Sequence, residues 1–255
     1  MNLDAMVVRR ARGEPLQYIL GTQPFGSLDI LTRPPVLIPR PETEFWTIKL
    51  SEILVPPAGR RVSLLDLCTG SGCIPLLLCR LWPSGSVRAV GLDISHEAVQ
   101  LASDNALAAG IPAASDAANS GENTFTPVLG DIFASATWTS PLLQAPFDVI
   151  TSNPPYISRE DYGKLSLSVK DYEDPRALLG DLPDSEEQRG LSFYHRIAQL
   201  ISDKRLLKPG GLLAFEVGEK QAGDVRRIVQ DKAGIRDAEI WRDPWGKERV
   251  VIGRS

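Results

Sequence analysis

The sequence predicts an α/β fold: a mostly parallel sheet covered by helices, closed at its C-terminal end by a β-hairpin. Three observations predict it. From Val62 onward, short apolar runs of β-favouring residues alternate with longer stretches of helical spacing. The first run leads straight into a glycine turn, Cys68-Thr69-Gly70-Ser71-Gly72, and then into an apolar helix. The last two runs, Asp237–Trp241 and Glu248–Ile252, flank Asp243-Pro244-Trp245-Gly246, which is hairpin spacing.

Composition bounds the rest. A chain of 255 residues, 43% hydrophobic and 24% charged, carries one sizeable core with a small extension. A net charge of -4 without a basic run argues against nucleic acid as a partner. The apolar stretches are too short to cross a bilayer. Cys68, Cys73 and Cys79 form no CxxC pair, so they read as buried reduced thiols, with no metal site. His96 and His195 are isolated and read as surface or helix positions, not as catalytic bases.

Each element follows in order. Met1 to Arg12, with Arg9, Arg10 and Arg12, reads as the end of a helix and has no apolar core of a signal peptide. Residues 13–39 are turn-rich and alternate at Leu28-Asp29-Ile30-Leu31, which predicts a hairpin arm. The chain divides into this arm and N-terminal remnant, 1–39, and a main domain, 40–255. Pro41 opens a helix from Glu42 to Leu54, with Glu42 and Glu44 at its positive end. Arg40, locked between Pro39 and Pro41, faces the site together with Glu42 and Glu44. Strands are expected at 62–67, 87–93, 127–129, 147–151 and 212–217. Helices are expected at 73–82, 95–109, 190–207 and 222–233. Residues 110–124, rich in Ala, Ser, Asn and Gly, read as a mobile surface insertion, and 158–187 as a long irregular stretch over the site. Lys208-Pro209-Gly210-Gly211 reads as a turn.

A strand, a glycine turn and a helix let a ligand approach the backbone and a helix N-terminus. The dinucleotide fingerprint fails, because its third glycine position is Pro75 and the strand-end acid Asp66 repels a pyrophosphate. A cofactor without phosphates, carrying cationic and hydroxyl groups, fits instead: S-adenosylmethionine. Asp93, 21 residues past Gly72, ends the second strand where an acid accepts from both ribose hydroxyls. Capping of the next helix is the other reading of Asp93. Asp131, after the third strand, is placed to meet the adenine amino group, with a simple turn role as the alternative.

The fourth strand delivers Ser152-Asn153-Pro154-Pro155-Tyr156. Two prolines end the strand and stiffen the turn. The Asn153 side-chain oxygen and the Pro154 carbonyl are acceptors for the two hydrogens of a planar –NH2, and Tyr156 packs on its flat face.

Taken together, these features resemble the class I S-adenosylmethionine-dependent methyltransferases. Their Rossmann-like, seven-stranded mixed sheet has the order 3-2-1-4-5-7-6, with strand seven antiparallel. Within them the chain resembles the HemK/PrmC family of release factor glutamine methyltransferases. The resemblance rests on Arg9 to Gly21 (R-R-x-x-G-E-P-x-x-Y-I-x-G), Leu37 to Glu44 (L-I-P-R-P-E-T-E), Asp66 to Gly72 and Ser152 to Ser158. Tyr172 to Leu178, Pro209-Gly210-Gly211 and the E-x-G-x-x-Q of Glu216 to Gln221 complete it. It implies methylation of the side-chain amide nitrogen of the glutamine in the Gly-Gly-Gln motif of a peptide chain release factor. It implies that Asp66, Thr69, Gly70, Gly72, Asp93, Asp131 and Ile132 line the cofactor. It also implies that Asn153, Pro154, Pro155 and Tyr156 hold the amide, and that Arg40, Glu42 and Glu44 shape the substrate mouth. The alternative is methylation of an exocyclic amine of adenine or guanine in nucleic acid.

Three departures stand out. Cys68 replaces a usual glycine, Ile132 a frequent aromatic, and the insertion at 110–124 is unusual. Of the family's N-terminal docking domain, only the last residues are expected here. A monomer is expected; the insertion suggests a eukaryotic version, for which the resemblance implies a mitochondrial factor, with a cytoplasmic one as the alternative.

Overall fold

The computed structural model describes residues 2–115, 121–144, 146–183 and 188–255. In chain order the first elements are α1 (Leu3–Ala11), α2 (Leu16–Leu20), β1 (Thr22–Phe25), β2 (Leu28–Leu31) and α3 (Pro41–Ile53). There follow β3 (Val62–Leu67), α4 (Cys73–Leu81), β4 (Val87–Asp93), α5 (His96–Ala108), β5 (Thr124–Leu129) and β6 (Phe147–Ser152). The rest comprises α6 (Arg159–Lys164), α7 (Leu167–Lys170), α8 (Pro175–Leu178), α9 (Ser192–Lys204), β7 (Leu207–Glu216), α10 (Ala222–Asp231), β8 (Asp237–Arg242) and β9 (Glu248–Arg254).

β1 and β2 form the antiparallel hairpin arm. The other seven strands form one sheet in the order β5-β4-β3-β6-β7-β9-β8. Counted from β3 as the first, that order is 3-2-1-4-5-7-6, and β9 runs antiparallel to both neighbours. The expected sheet and its closing hairpin are therefore present.

Alternation along β3 explains the two-layered core. Val62 and Leu64 join one apolar cluster with α4, Trp46, Phe125 and the arm residues Phe25 and Ile30. Leu65 and Leu67 join another with Tyr194, Ile197, Val225 and Val229 from α9 and α10. Both faces of this parallel strand are covered, so apolar residues fall on both of them.

Four expectations need correction. The arm contains a single-turn helix, α2, ended by Gly21 at φ 84, and Tyr18 donates its hydroxyl to the Val36 carbonyl at 2.6 Å. The third strand begins at Thr124, not Pro127; Phe125 is fully buried, and β5 is the outermost strand, where a proline is tolerated. The stretch after Ser158 is not irregular: α6 is capped by Ser158 and α8 by Asp174, whose side chains accept from the Asp161 and Arg176 amides. The fifth strand begins at Leu207, and Lys208 to Gly211 is a bulge inside it, bonded to the Ser255 backbone. Of the insertion read at 110–124, residues 116–120 lie outside the described residues, as do 184–187 of the stretch after Ser158.

Candidate active site

All parallel strands of the sheet end on one side, and the loops leaving β3, β4, β5 and β6 converge there. Under the first loop lies Asp66, fully buried. Its two oxygens accept from the hydroxyls of Thr69 and Thr151, each at 2.6 Å. Burial raises its carboxyl to about 7, against the pull of those two hydroxyls. Thr69 thus turns its hydroxyl away from the ligand side and braces the loop. Cys68 adopts φ 59 and Gly70 φ 56, both left-handed. At Gly70 a side chain would meet open space, whereas at Gly72 a Cβ would lie 2.9 Å from the Phe125 ring. Gly70 is therefore a place for a ligand to approach the backbone, and Gly72 lets α4 start close to the sheet.

The β4 loop brings in Asp93. Its Oδ2 accepts from the Gly70 amide at 2.8 Å and its Oδ1 from the Ser95 amide at 2.9 Å. Burial raises its pKa, and these backbone amides oppose the rise. The cap of α5 is Ser95, whose Oγ accepts from Ala98. Asp93 is thus held upstream of the helix, with lone pairs to spare. After β5, Gly130 has no room for a Cβ, which would lie 2.6 Å from Thr137. That tight turn sets Asp131, whose Oδ1 accepts from the Phe133 amide at 2.8 Å. The buried Ile132 offers its carbonyl to Arg196 and Trp138.

These loops enclose a cavity of about 380 Å³. Cys68, Gly70, Asp93, Asp131, Ile132 and Asn153 line it, with Ile94, Phe133, Val36 and Leu37 adding apolar wall. Of the residues expected around the cofactor, Asp66, Thr69 and Gly72 stand behind this lining and build its floor. The wall from Val36 and Leu37 was missed; the apolar run Val36-Leu37-Ile38 between Pro35 and Pro39 was its sequence signal.

The turn after β6 is held from several sides. Ser152 Oγ donates to the Leu67 carbonyl at 2.7 Å, and Gln221 Nε2 donates to the Tyr156 carbonyl at 2.8 Å. Among the described residues no donor meets the Pro154 carbonyl. Asn153 Nδ2 donates to Thr43 Oγ1 at 3.3 Å. Thr43 Oγ1 in turn donates to Glu216 Oε2 at 2.6 Å, and Trp46 Nε1 donates to the same oxygen at 2.8 Å. The Tyr156 hydroxyl turns towards Glu216 Oε1 at 3.5 Å. Glu216 is buried, which raises its pKa, while Thr43 and Trp46 oppose the rise. Its structural part went unread in sequence, where it was one letter of a motif.

At the mouth, Arg40 Nη2 donates to both carboxylate oxygens of the buried Glu173, at 2.8 and 2.6 Å. This ties the entry of α3 to the segment between α7 and α8. Glu42 lies 3.9 Å from Arg249. Glu44 makes no ion pair among the described residues.

No family model matches the chain. Among solved structures, a methyltransferase from Pyrococcus furiosus superimposes with a TM-score of 0.57 at 16% identity, over 98% of this chain and 96% of that one. The hMettl16 catalytic domain in complex with an RNA hairpin gives 0.59 at 17%, over 93% and 79%. At that identity they show a shared fold. Among curated proteins, the release factor glutamine methyltransferase of Koribacter versatilis (strain Ellin345) is 37% identical over 252 residues, 99% of this chain and 79% of its own length. This chain belongs to the release factor glutamine methyltransferase family. The family's protein from Geobacter sulfurreducens is 38% identical over 253 residues, covering 98% of this chain and 76% of its own.

Proposed function

We propose that this chain transfers the methyl group of S-adenosylmethionine to the side-chain amide nitrogen of the Gly-Gly-Gln glutamine in a peptide chain release factor. Asn153 is the observation that carries this reading. Its amide nitrogen is occupied by Thr43, which leaves its Oδ1 acceptor to a substrate. It sits in the cavity wall of a chain 37% identical to a relative named for that reaction.

The residues present fit the cofactor. Two carboxylates, Asp93 and Asp131, line the cavity without an ion-pair partner among the described residues, which suits a ligand bearing cationic and hydroxyl groups. Gly70 opens a cradle that any side chain would fill. Asp93 is placed for the ribose hydroxyls and Asp131 for the adenine side. Bound there, the cofactor supplies a methyl group on a sulfonium centre.

The protein's part is to orient and to stabilise. Asn153 Oδ1 and the Pro154 carbonyl each accept one hydrogen of the glutamine –NH2, which aims the nitrogen and stabilises positive charge growing on it. Tyr156, fixed by Gln221 at its carbonyl, would pack on the flat face of that amide. Arg40, through Glu173, holds the mouth in shape.

The test is transfer of labelled methyl to a purified Gly-Gly-Gln factor, with a Gln→Ala factor as control. Label on the wild-type factor alone is the expected result. No label, with cofactor binding intact by calorimetry, overturns the reading; an amine in nucleic acid is then tested by salt titration. We also read the chain as a monomer and, on its acidic charge, as one that takes no nucleic acid. The mitochondrial placement rests on the insertion at 110–124. The relatives named above are bacterial, a cytoplasmic placement is the alternative, and cell fractionation decides between them.

A further inference from the structure

We propose that Glu216 and Thr43 form a buried relay that fixes which end of the Asn153 amide meets the substrate, making both of them positioning residues for methyl transfer. The inference rests on the function proposed above and goes beyond it by naming what aims the turn.

Donor chemistry commits each hydrogen in this cluster. Trp46 Nε1 is only a donor, so Glu216 Oε2 must accept from it at 2.8 Å. Thr43 Oγ1 lies 2.6 Å from the same oxygen and, as long as that oxygen carries no proton, gives it its single hydrogen. Thr43 then has only lone pairs left to offer. The group of Asn153 that approaches Thr43 at 3.3 Å must therefore be the –NH2. Asn153 Oδ1 is left as the outward acceptor, the only end of the amide that can bind a substrate –NH2. Without the Thr43 hydroxyl, nothing distinguishes the two ends. The amide then rotates, and half of its orientations present a donor to a donor. Glu216 and Thr43 are buried, with relative exposures of 1% and 2%, so water is no substitute for either partner.

Thr43→Val tests the relay because it removes the hydroxyl and keeps the shape; Thr43→Ser keeps the hydroxyl. Thr43→Val should lower kcat by about 10- to 100-fold. The cofactor Kd and the KM for the release factor should change less than about twofold, and Thr43→Ser should restore kcat. If Thr43→Val does not fold, Glu216 supplies the second pair. Glu216→Gln keeps an oxygen for Thr43 and Trp46 and should retain kcat, whereas Glu216→Leu should lose it. A readout independent of substrate comes from magnetic resonance. The Asn153 –NH2 signals, identified by their loss in Asn153→Ala, should be protected from exchange in the parent and in Thr43→Ser, and unprotected in Thr43→Val. Equal kcat for the Val and Ser variants, or equal protection, overturns the relay. Protection that behaves as expected in a chain that leaves the release factor unmethylated overturns the substrate and keeps the relay.

Discussion

At the start of β6, Asp148 accepts from Lys208 at 2.7 Å, from Ser63 through both amide and hydroxyl, and pairs with Arg60. At the other end of the same sheet, Asp66 and Glu216 are buried more deeply, and their bonded partners are threonine hydroxyls, an indole and a distant phenol. No cation bonds either of them among the described residues. Burial pushes all three pKa values up. For Asp148 the Lys208 and Ser63 hydrogen bonds win, and its carboxyl ends below the usual range. For Asp66 and Glu216 burial wins. A carboxylate clamped by cations ties strands together. One held by hydroxyls directs the hydrogens of its neighbours, and those neighbours are Thr151 before the Asn153 turn, Thr69 in the cofactor loop and Thr43 beside Asn153.

The largest expected effect lies at the loop end. Asn153→Ala should cut turnover by about 100- to 1000-fold while thermal unfolding and cofactor affinity stay near the parent's. Turnover retained in steady-state methyl transfer would remove the functional half of the contrast. A change at the opposite end should do the reverse. Asp148→Ala leaves Lys208 and the Ser63 groups without their partner and should lower stability by about 1–3 kcal/mol, read by urea unfolding, with kcat unchanged.

The pH dependence sharpens the contrast further. Asp66 holds its proton up to about 7 in the folded protein, against 3.8 for the ordinary side chain. The folded state therefore binds more protons than the unfolded chain across that window. This contribution to stability is full below 3.8 and is lost as pH rises through about 7. Asp66→Asn removes it, so the variant should gain on the parent in Tm as pH rises from 4 to 8. A constant difference across that range would show that Asp66 is ionised throughout.

The smallest effect expected is at Cys68, whose left-handed φ of 59 costs a side chain about 1 kcal/mol. Cys68→Gly should raise stability by no more than that, because glycine also frees the unfolded chain, and should leave cofactor affinity intact. A loss of affinity on calorimetry would mean that the thiol itself contacts the ligand.

Much of this site was legible because its signals are local. Short apolar runs of β-favouring residues located β3, β4 and β6, glycine spacing located the turn after β3, and two prolines located the turn that carries Asn153. Local signals also missed elements. α2 is only five residues, too short for periodicity, and the serine and aspartate caps of α6 and α8 lie within a polar stretch that reads as loop. The start of β7 was masked by Pro209 and two glycines, which the bulge accommodates.

The sequence by itself determined the chain order of the main sheet's strands and of α3, α4, α5, α9 and α10, the turn chemistry, and the acids at or just past the ends of β3, β4 and β5. Each of these depends on backbone preferences spanning a few residues. Only the tertiary structure decided which acids line the cavity and which support it. Asp66 and Asp93 read alike as strand-end carboxylates, yet one is beneath the loop and the other on its surface. Tertiary structure alone also joined Thr43 to Glu216 across 173 residues and to Asn153 across 110. That junction depends on β6 and β7 lying side by side with α3 packed across their ends, and a hydrogen bond that forms only once the sheet has closed leaves no periodic trace along the chain.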